Sequence, residues 1–258
     1  MINPLQNKYL TPKNLEKCVT GIIISSSIIA VLGYILTQPK YGCVPSIQGS
    51  LDLVQCILSF FVILFSGLCS YFYIVSEDER KRVAVDNAYN MHYGENESVD
   101  YYTNDNVKQG LERLSTNMFE SCFFTNKIAG VMLTHSLAKS LLLLIPFVIT
   151  IFLADSKMIV LLSNLAIVSL ILADCVKLIA LFLRTRSLLT RFRAFYCSRK
   201  GMNQHARNSQ MQLLILEYES ALSWSHVLLD EGVYNKLNAK LSKEWEDMKI
   251  LYGITTQL

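Results

Sequence analysis

Four strongly apolar runs, grouped in two pairs, dominate the pattern of hydrophobic and polar positions along the chain. They cover residues 19–37, 53–75, 137–154 and 158–183. A helix needs about 20 predominantly apolar residues to cross a hydrocarbon layer roughly 30 Å thick, because lipid offers the backbone no hydrogen-bonding partner. Each run is close to that length, and the pattern therefore predicts four transmembrane helices in two hairpins.

A polar segment, residues 76–135, separates the two pairs of runs. In its first part, residues 76–93, apolar side chains return at helical spacing, which predicts a helix that continues the second span beyond the membrane. A turn-rich patch covers residues 94–106, and a second helical pattern begins at Val107. One face of that second pattern comprises Leu111, Leu114, Met118 and Cys122.

The tail, residues 184–258, has the pattern of soluble helices. One helical pattern spans residues 211–229, Gly232 is the expected break, and a second pattern is amphipathic. Its apolar positions are Val233, Leu237, Leu241, Trp245 and Met248. The sequence thus predicts an all-α membrane protein with a short N-terminal segment (1–18), transmembrane hairpins at 19–75 and 136–183, and a helical cytoplasmic domain built from 76–135 and 184–258.

Prolines and glycines set the predicted ends and bends of these helices. Thr11-Pro12 resembles a helix start, since the first turn has no backbone donor for proline to lose. The connector at residues 38–52 holds two prolines and two glycines and predicts a compact outer loop. Residues 155–157 predict a tight turn between the third and fourth spans, and Pro146 predicts a bend in the third.

The composition changes this picture little. With 52% hydrophobic and 17% charged residues, the chain lies outside the ordinary soluble balance, as an integral membrane protein does. The first apolar run is too long for the core of a typical signal peptide, so we expect it to stay in the membrane. The seven cysteines lack paired spacing and predict neither structural disulfides nor a zinc site.

Basic residues are distributed unevenly between the two sides that this topology defines. The N-terminal segment, the start of the polar segment at Arg80 and the run at residues 184–200 carry most of them, whereas the two outer connectors carry only Lys40 and Lys157. The positive-inside rule therefore predicts that both termini and the polar segment are cytoplasmic. A net charge of +3 is too small to indicate nucleic acid, and we expect no direct DNA binding.

Four residues of the second hairpin are candidates for a pore or gate. Asp174 and Lys177 are three positions apart and share a helix face, where they can pair. Two interpretations stay open: a salt bridge near the inner interface, or a water-filled path of the kind that ionisable groups within spans often line. Asn164, which can hydrogen-bond between helices, and Pro146 complete this set.

Two groups of residues are candidates for recognition of a ligand or partner. In the basic run 184–200, Arg191 and Arg193 alternate with aromatic residues. Two interpretations stay open: the run sets the topology and attracts anionic lipid, or it binds a phosphorylated ligand. A second group in the polar segment, rich in aromatic and amide side chains, forms either a packed core or a recognition site. It comprises Tyr101, Tyr102, Asn117, Glu120, Phe123 and Phe124.

No catalytic or cofactor motif accompanies these residues. The four histidines are far apart in sequence, and the chain has no H-E-x-x-H motif, no phosphate-cradling glycine loop and no nucleophile elbow. We therefore expect no metal, no cofactor and no enzymatic activity.

Residues 101–104 and 117–125, set between two helical hairpins and followed by a helical tail that ends around Trp245, carry a family resemblance. The arrangement resembles the bacterial four-transmembrane effectors of nucleotide-signalling anti-phage defence, called SLATT and SMODS-associated four-TM, although almost no helix precedes the first span. The resemblance implies a homo-oligomer in the bacterial inner membrane. Such effectors are expected to permeabilise or depolarise that membrane when the cytoplasmic part senses a cyclic nucleotide signal or a protein partner from the defence system.

A second hypothesis comes from a different class of protein. In it, the chain is a membrane scaffold or sensor that conducts nothing and recruits a soluble partner through its cytoplasmic helices, above all the amphipathic one. A small transporter is a weaker third hypothesis, because the four runs show no obvious repeat.

Overall fold

The computed structural model describes residues 6–36, 45–95, 102–153 and 158–254, and the regular secondary structure in this part of the chain is all helical. The all-α prediction is therefore confirmed for the described residues. They form six α-helices and one short 3₁₀ turn, Arg199–Gly201, between the fourth and fifth helices. The helices are α1 (Gln6–Leu36), α2 (Pro45–Tyr89), α3 (Leu111–Leu153), α4 (Met158–Ser198), α5 (Gln204–Ser225) and α6 (Glu231–Leu251).

These helices divide into two compact units. The first, here called the polar unit, comprises Ile74–Thr134, Lys177–Leu258 and the start of α1 up to Lys8. The second, the apolar unit, comprises Tyr9–Tyr73 and His135–Val176. Helices α1 to α4 each contribute residues to both units.

Helix α2 is 45 residues long and passes from the second apolar run into the charged residues 77–82 without a break, as predicted. It begins at Pro45, so the predicted outer loop is wrong for residues 45–52. Proline at the first position of a helix loses no hydrogen bond and has a suitable φ, which explains a start at this residue. Asp52 therefore lies inside α2, about two turns after the start of the helix.

The far end of α2 is held by residues outside the helix. Asn90 adopts a left-handed conformation with φ 54°, which ends the helix after Tyr89. Gly110, whose φ of 107° suits glycine alone, donates its N–H to the Ala88 carbonyl at 2.8 Å. Helix α3 begins directly after this glycine, and its predicted start at Val107 was four residues too early.

The predicted helix start at Thr11-Pro12 is also wrong, because α1 begins at Gln6 and contains Pro12. Proline has no N–H to donate to the carbonyl four residues earlier, which belongs to Lys8. The Ser76 hydroxyl donates to this Lys8 carbonyl instead, at 2.9 Å. A tertiary hydrogen bond thus satisfies the acceptor that proline leaves free within the helix.

The sequence predicted a break between α5 and α6 at Gly232, and this prediction is wrong. Helix α5 ends at Ser225, followed by His226 in a left-handed conformation with φ 48°. Helix α6 begins at Glu231, because the Asp230 carboxylate caps it by accepting the Val233 N–H at 2.8 Å. Gly232 is therefore part of the first turn of α6.

The polar unit has an apolar and aromatic core to which α3, α4, α5 and α6 all contribute. Phe119, Phe192, Tyr218 and Trp245 are completely or almost completely buried there. The predicted apolar face of α6 packs against this core, with Leu241 and Trp245 buried and Val233, Leu237 and Met248 partly buried. The amphipathic pattern of the tail is thereby confirmed.

The apolar unit has the opposite distribution of polarity. On α2, Phe60 and Ile63 are more than 60% exposed, whereas Gln55 is buried. In the second hairpin, Leu141 is 63% exposed and its neighbour Ser140 is buried. Apolar residues such as Val62 are buried here as well, but the many exposed apolar side chains suit a hydrocarbon solvent, in which such surface is not penalised.

Among the described residues, one stretch is long and apolar enough to cross a membrane, residues 49–89 of α2. Its most apolar 18-residue window has a mean hydropathy of 2.2, and 11% of that window is buried. A core helix of a soluble protein is mostly buried, so this finding favours association with a membrane. The side chains of residues 142–172, which make up much of the third and fourth predicted spans, lie outside the described set. The predicted turn at 155–157 lies outside the described residues altogether.

Candidate functional site

A buried hydrogen-bond network in the polar unit has Asn104 at its centre. The side-chain amide of Asn104 donates to Asn117 Oδ1 at 2.9 Å and to Glu120 Oε2 at 2.7 Å. Its Oδ1 accepts the indole N–H of Trp245 at 3.3 Å. All four residues are buried, and each polar group supplies a partner that its neighbours could not obtain from water.

The network joins four parts of the polar unit. Asn117 on α3 donates to Asn87 Oδ1 on α2 at 2.7 Å. Lys249 on α6 is buried and donates to the Thr103 carbonyl at 2.8 Å. Thr103 and Asn104 belong to the segment between α2 and α3. The hydrogen bonds therefore connect this segment with α2, α3 and α6.

Burial raises the pKa of the Glu120 carboxyl from 4.5 to about 7. Hydrogen bonds from Asn104 and the Thr103 backbone oppose this rise, as does the positive charge of Lys249, while Glu246 adds to it. A carboxyl that titrates near neutrality changes its charge within the physiological pH range, unlike an ordinary glutamate.

The predicted recognition group of the polar segment belongs to this network and to the core around it. Its described members are all buried: Tyr102, Asn117, Glu120, Phe123 and Phe124. Tyr101 lies outside the described residues. The core interpretation therefore accounts for the position of these side chains, and a role in recognition stays a prediction.

Aromatic rings pack closely beside the network. The Phe119 ring stacks on those of Phe192 and Tyr196, with centroids 5.1 and 5.2 Å away, and meets Trp245 edge-on at 5.2 Å. The Tyr196 hydroxyl lies 2.9 Å from Thr116 Oγ1, so its polar end also has a partner. These ring faces are occupied by one another and leave no platform on which a base could stack.

In the basic run 184–200, the two candidate arginines lie on the exposed side of α4 and the aromatic rings on its buried side. Arg191 and Arg193 are exposed, whereas Phe192, Phe195 and Tyr196 are buried. Arg191 pairs with Glu217 of α5, and Arg193 approaches the Met248 sulfur. Arg199, in the 3₁₀ turn that follows, lies over the Tyr196 ring at 4.9 Å, and the recognition of a phosphorylated ligand by this run stays a prediction.

The candidates for a pore or gate lie in α3 and α4. Asp174 is exposed and Lys177 is half-buried. Pro146 and Asn164 fall within the helical ranges of α3 and α4, but their side chains lie outside the described set. Beside Asp174, the buried Cys175 thiol lies 2.8 Å from Ser140 Oγ and 3.3 Å from Ser136 Oγ, a small polar contact between the two helices.

A second polar contact, between α1 and α2, was not singled out from the sequence. Gln55 Nε2 donates to Ser26 Oγ at 2.7 Å, and both side chains are buried inside the apolar unit. The available signal was a single amide side chain near the start of the second apolar run. Asn104 was missed as a centre of the network for a related reason, since a turn-rich patch has no periodicity that separates buried from exposed positions.

No group of three or more histidine, cysteine or acidic side chains that could hold a metal occurs in the described part of the chain. Burial raises the pKa of the Cys122 thiol, which keeps it protonated and a poor nucleophile. In its described residues the chain is thus an all-helical protein with one helix suited to crossing a membrane. No protein-family model, curated protein or solved structure matches the chain.

Proposed function

We propose that the chain is a bacterial inner-membrane effector that crosses the membrane four times and permeabilises it when the polar unit receives a signal. The observation that carries this proposal is the inverted polarity of the apolar unit. Its exposed side chains include many large apolar ones, such as Phe60 and Leu141, and its buried ones include Gln55 and Ser140. Water would penalise such a surface, whereas lipid would not.

The basic residues support an orientation with the polar unit in the cytoplasm. Arg184 and Arg186 directly follow the fourth predicted span, and both are exposed. Arg184 lies over the ring of Trp224 at 5.1 Å, a pairing of cation and aromatic side chain suited to a membrane interface. Each exposed basic residue near an anionic leaflet contributes about 1 kcal/mol of attraction.

The buried network supports control by the polar unit. Its members come from α2, α3, α6 and the segment that joins α2 to α3, and α2 and α3 also carry two of the proposed spans. A signal that rearranges the network would therefore act on helices that form the membrane part. The resemblance of residues 101–104 and 117–125 to the four-transmembrane defence effectors supports the remaining parts of the proposal. These are the role in defence, the nucleotide or protein signal, and the assembly into a homo-oligomer.

The alternative, a scaffold that conducts nothing, is favoured by a different observation. Leu213 and Leu216 on α5 are exposed, as are Ile250 and Leu251 at the end of α6. The predicted docking face of α6 packs into the core instead, so these four exposed residues are the contacts that α5 and α6 offer to a recruited partner.

Membrane potential and dye entry in bacteria induced to express the chain, with and without phage challenge, test the proposal. Depolarisation or dye entry supports an effector, and an intact membrane in both conditions favours the scaffold. If Asp174 and Lys177 line the path, Asp174→Leu and Lys177→Leu abolish depolarisation while the protein still inserts. Asp247→Leu and Lys243→Leu, at exposed positions of α6, are the matched controls, and killing that persists in both α4 variants removes these residues from the path.

A further inference from the structure

Helix α5 runs back along α4 toward the point at which α4 leaves the fourth predicted span. Arg191 of α4 pairs with Glu217 of α5. Seven positions earlier on α4, Arg184 lies over the ring of Trp224, seven positions later on α5, at 5.1 Å. The two contacts define an antiparallel pair of helices. Because Arg184 is the first residue after the fourth predicted span, Trp224 lies at the predicted membrane boundary.

The connector between α5 and α6 lies near the end of another predicted span. The Asp230 backbone N–H donates to the Met132 sulfur at 3.3 Å, and Met132 precedes the third predicted span by five residues. Within the connector, Val227 and Leu229 pack against the core of the polar unit, whereas Leu228 between them is half-exposed. The end of α5 and the connector are therefore both close to the cytoplasmic ends of predicted spans.

The end of α5 combines an exposed aromatic ring with a cation. Trp224 is 52% exposed, and tryptophan is enriched where a protein meets lipid headgroups. Arg184 is exposed and has no ion pair among the described residues, while the two acidic residues of α5, Glu217 and Glu219, pair with other arginines. A guanidinium group that stacks on a ring through its face keeps its in-plane N–H donors for the oxygens of a phosphate.

We propose that Arg184 and Trp224 bind the headgroup of an anionic phospholipid of the cytoplasmic leaflet, with Leu228 of the adjacent connector in contact with the same lipid layer. The guanidinium N–H groups donate to the lipid phosphate, and the indole ring lies between the headgroup and the acyl chains. A phospholipid offers an anion together with apolar chains, which matches the exposed ring beside the arginine. This inference rests on the proposed function and adds a lipid ligand to the polar unit.

The two tryptophans of the chain allow a test by fluorescence. Trp245 is completely buried and Trp224 is exposed, so a quencher in the lipid reaches Trp224. The full chain is reconstituted in vesicles of equal amounts of phosphatidylcholine and phosphatidylglycerol, and one of the two lipids carries bromine atoms near the start of its acyl chains. Brominated lipid should quench part of the wild-type emission, and the quenched component should be absent from Trp224→Phe.

Lipid selectivity separates a headgroup site from simple proximity to the membrane. Brominated phosphatidylglycerol should associate with Trp224 roughly fivefold more strongly than brominated phosphatidylcholine, as expected for one basic residue at an anionic surface. Arg184→Gln should lower this preference by about twofold or more. Arg193→Gln, at an exposed position nine residues further along α4, is the matched control and should leave the preference unchanged.

Two results would overturn the inference. One is equal quenching of Trp224 by the two brominated lipids, and the other is quenching of Trp224 by aqueous iodide with no effect of either lipid. Depolarisation of cells that accompanies either result would leave the proposed function intact. A wild-type chain that neither floats with the vesicles nor depolarises cells would overturn both.

Discussion

Glu120 is a buried carboxyl whose charge near neutral pH depends on folding. Its pKa rises from 4.5 to about 7 in the folded chain, so the folded state holds the proton more tightly than the unfolded state. The corresponding stabilisation is fully present below pH 4.5 and is lost as the pH rises through 7. A neutral isostere at this position should not show that loss.

We therefore predict that Glu120→Gln flattens the dependence of stability on pH. Between pH 5 and pH 8 the wild type should lose roughly 2–3 kcal/mol more than the variant, because one pKa unit corresponds to about 1.4 kcal/mol. The midpoint of thermal unfolding of the full chain in detergent, followed across this pH range, measures the difference. Asp247→Asn, at an exposed site, is the control, and identical pH profiles for Glu120→Gln and wild type would contradict the prediction.

Asn104 forms hydrogen bonds with three buried partners. In Asn104→Ala, Asn117, Glu120 and Trp245 each lose one of them, and we expect a destabilisation of roughly 2–4 kcal/mol. Chemical unfolding in detergent measures this cost. Asn235→Ala, on the exposed side of α6, should change stability by less than about 0.5 kcal/mol. Similar stabilities for the two variants would show that the network contributes little.

At the scale of elements, α2 and α5 are joined within the polar unit by an ion pair that involves Arg80. Its Nε donates to Glu77 Oε2 at 2.9 Å, and its Nη2 donates to Glu219 Oε2 of α5 at 2.6 Å. Arg80 and Glu77 are both buried. Removal of the arginine would leave a carboxylate buried without its cation, which costs far more than the loss of an exposed pair.

Arg80→Ala should accordingly destabilise the chain by roughly 3–5 kcal/mol and separate α5 from α2. Arg82→Ala is the matched control two positions away, because the Arg82 side chain is 58% exposed and 4.0 Å from Glu79. Hydrogen exchange of α5, followed by mass spectrometry on the full chain, reports the separation. Equal protection of α5 in both variants would contradict a link through Arg80.

Continuous helices could be predicted from the sequence, and their ends could not. The pattern from the second apolar run into residues 76–93 contains no helix breaker, and α2 is continuous there. In contrast, Pro12 is accommodated by Ser76, which is distant in sequence, and the end of α2 depends on Gly110. Such contacts form only after folding, so local propensity placed these boundaries wrongly.

The candidate site shows the same limit. Burial of Met118 and Cys122 followed from helical spacing and an apolar face, which are local patterns, whereas for Phe123 and Phe124 the sequence left a packed core and a recognition site open. The partners of Asn104 lie 13, 16 and 141 positions away along the chain, and no sequence pattern connects them. Gln55 and Ser26 likewise become a pair only through the register of α1 against α2.

At the scale of the whole molecule, polarity is distributed in opposite ways in the two units. The polar unit buries Phe119 and Trp245, as a protein in water does, whereas the apolar unit exposes Phe60 and Ile63 and buries Gln55. In the proposed function, two solvents account for both patterns, with water around the polar unit and lipid around the apolar unit. Cysteines are present in both environments, and their chemical accessibility distinguishes the two solvents.

Labelling of the native cysteines by a membrane-impermeant maleimide tests this account most directly. Cys56 in the apolar unit and Cys197 in the polar unit are both exposed. We predict that Cys197 reacts in inverted inner-membrane vesicles and not in intact spheroplasts, and that Cys56 reacts in neither until detergent and denaturant remove the lipid. Peptide mass spectrometry of the unmodified chain assigns the labelled sites. Reaction of Cys56 in sealed vesicles at the rate of Cys197 would show that water surrounds both units and would contradict a membrane-embedded apolar unit.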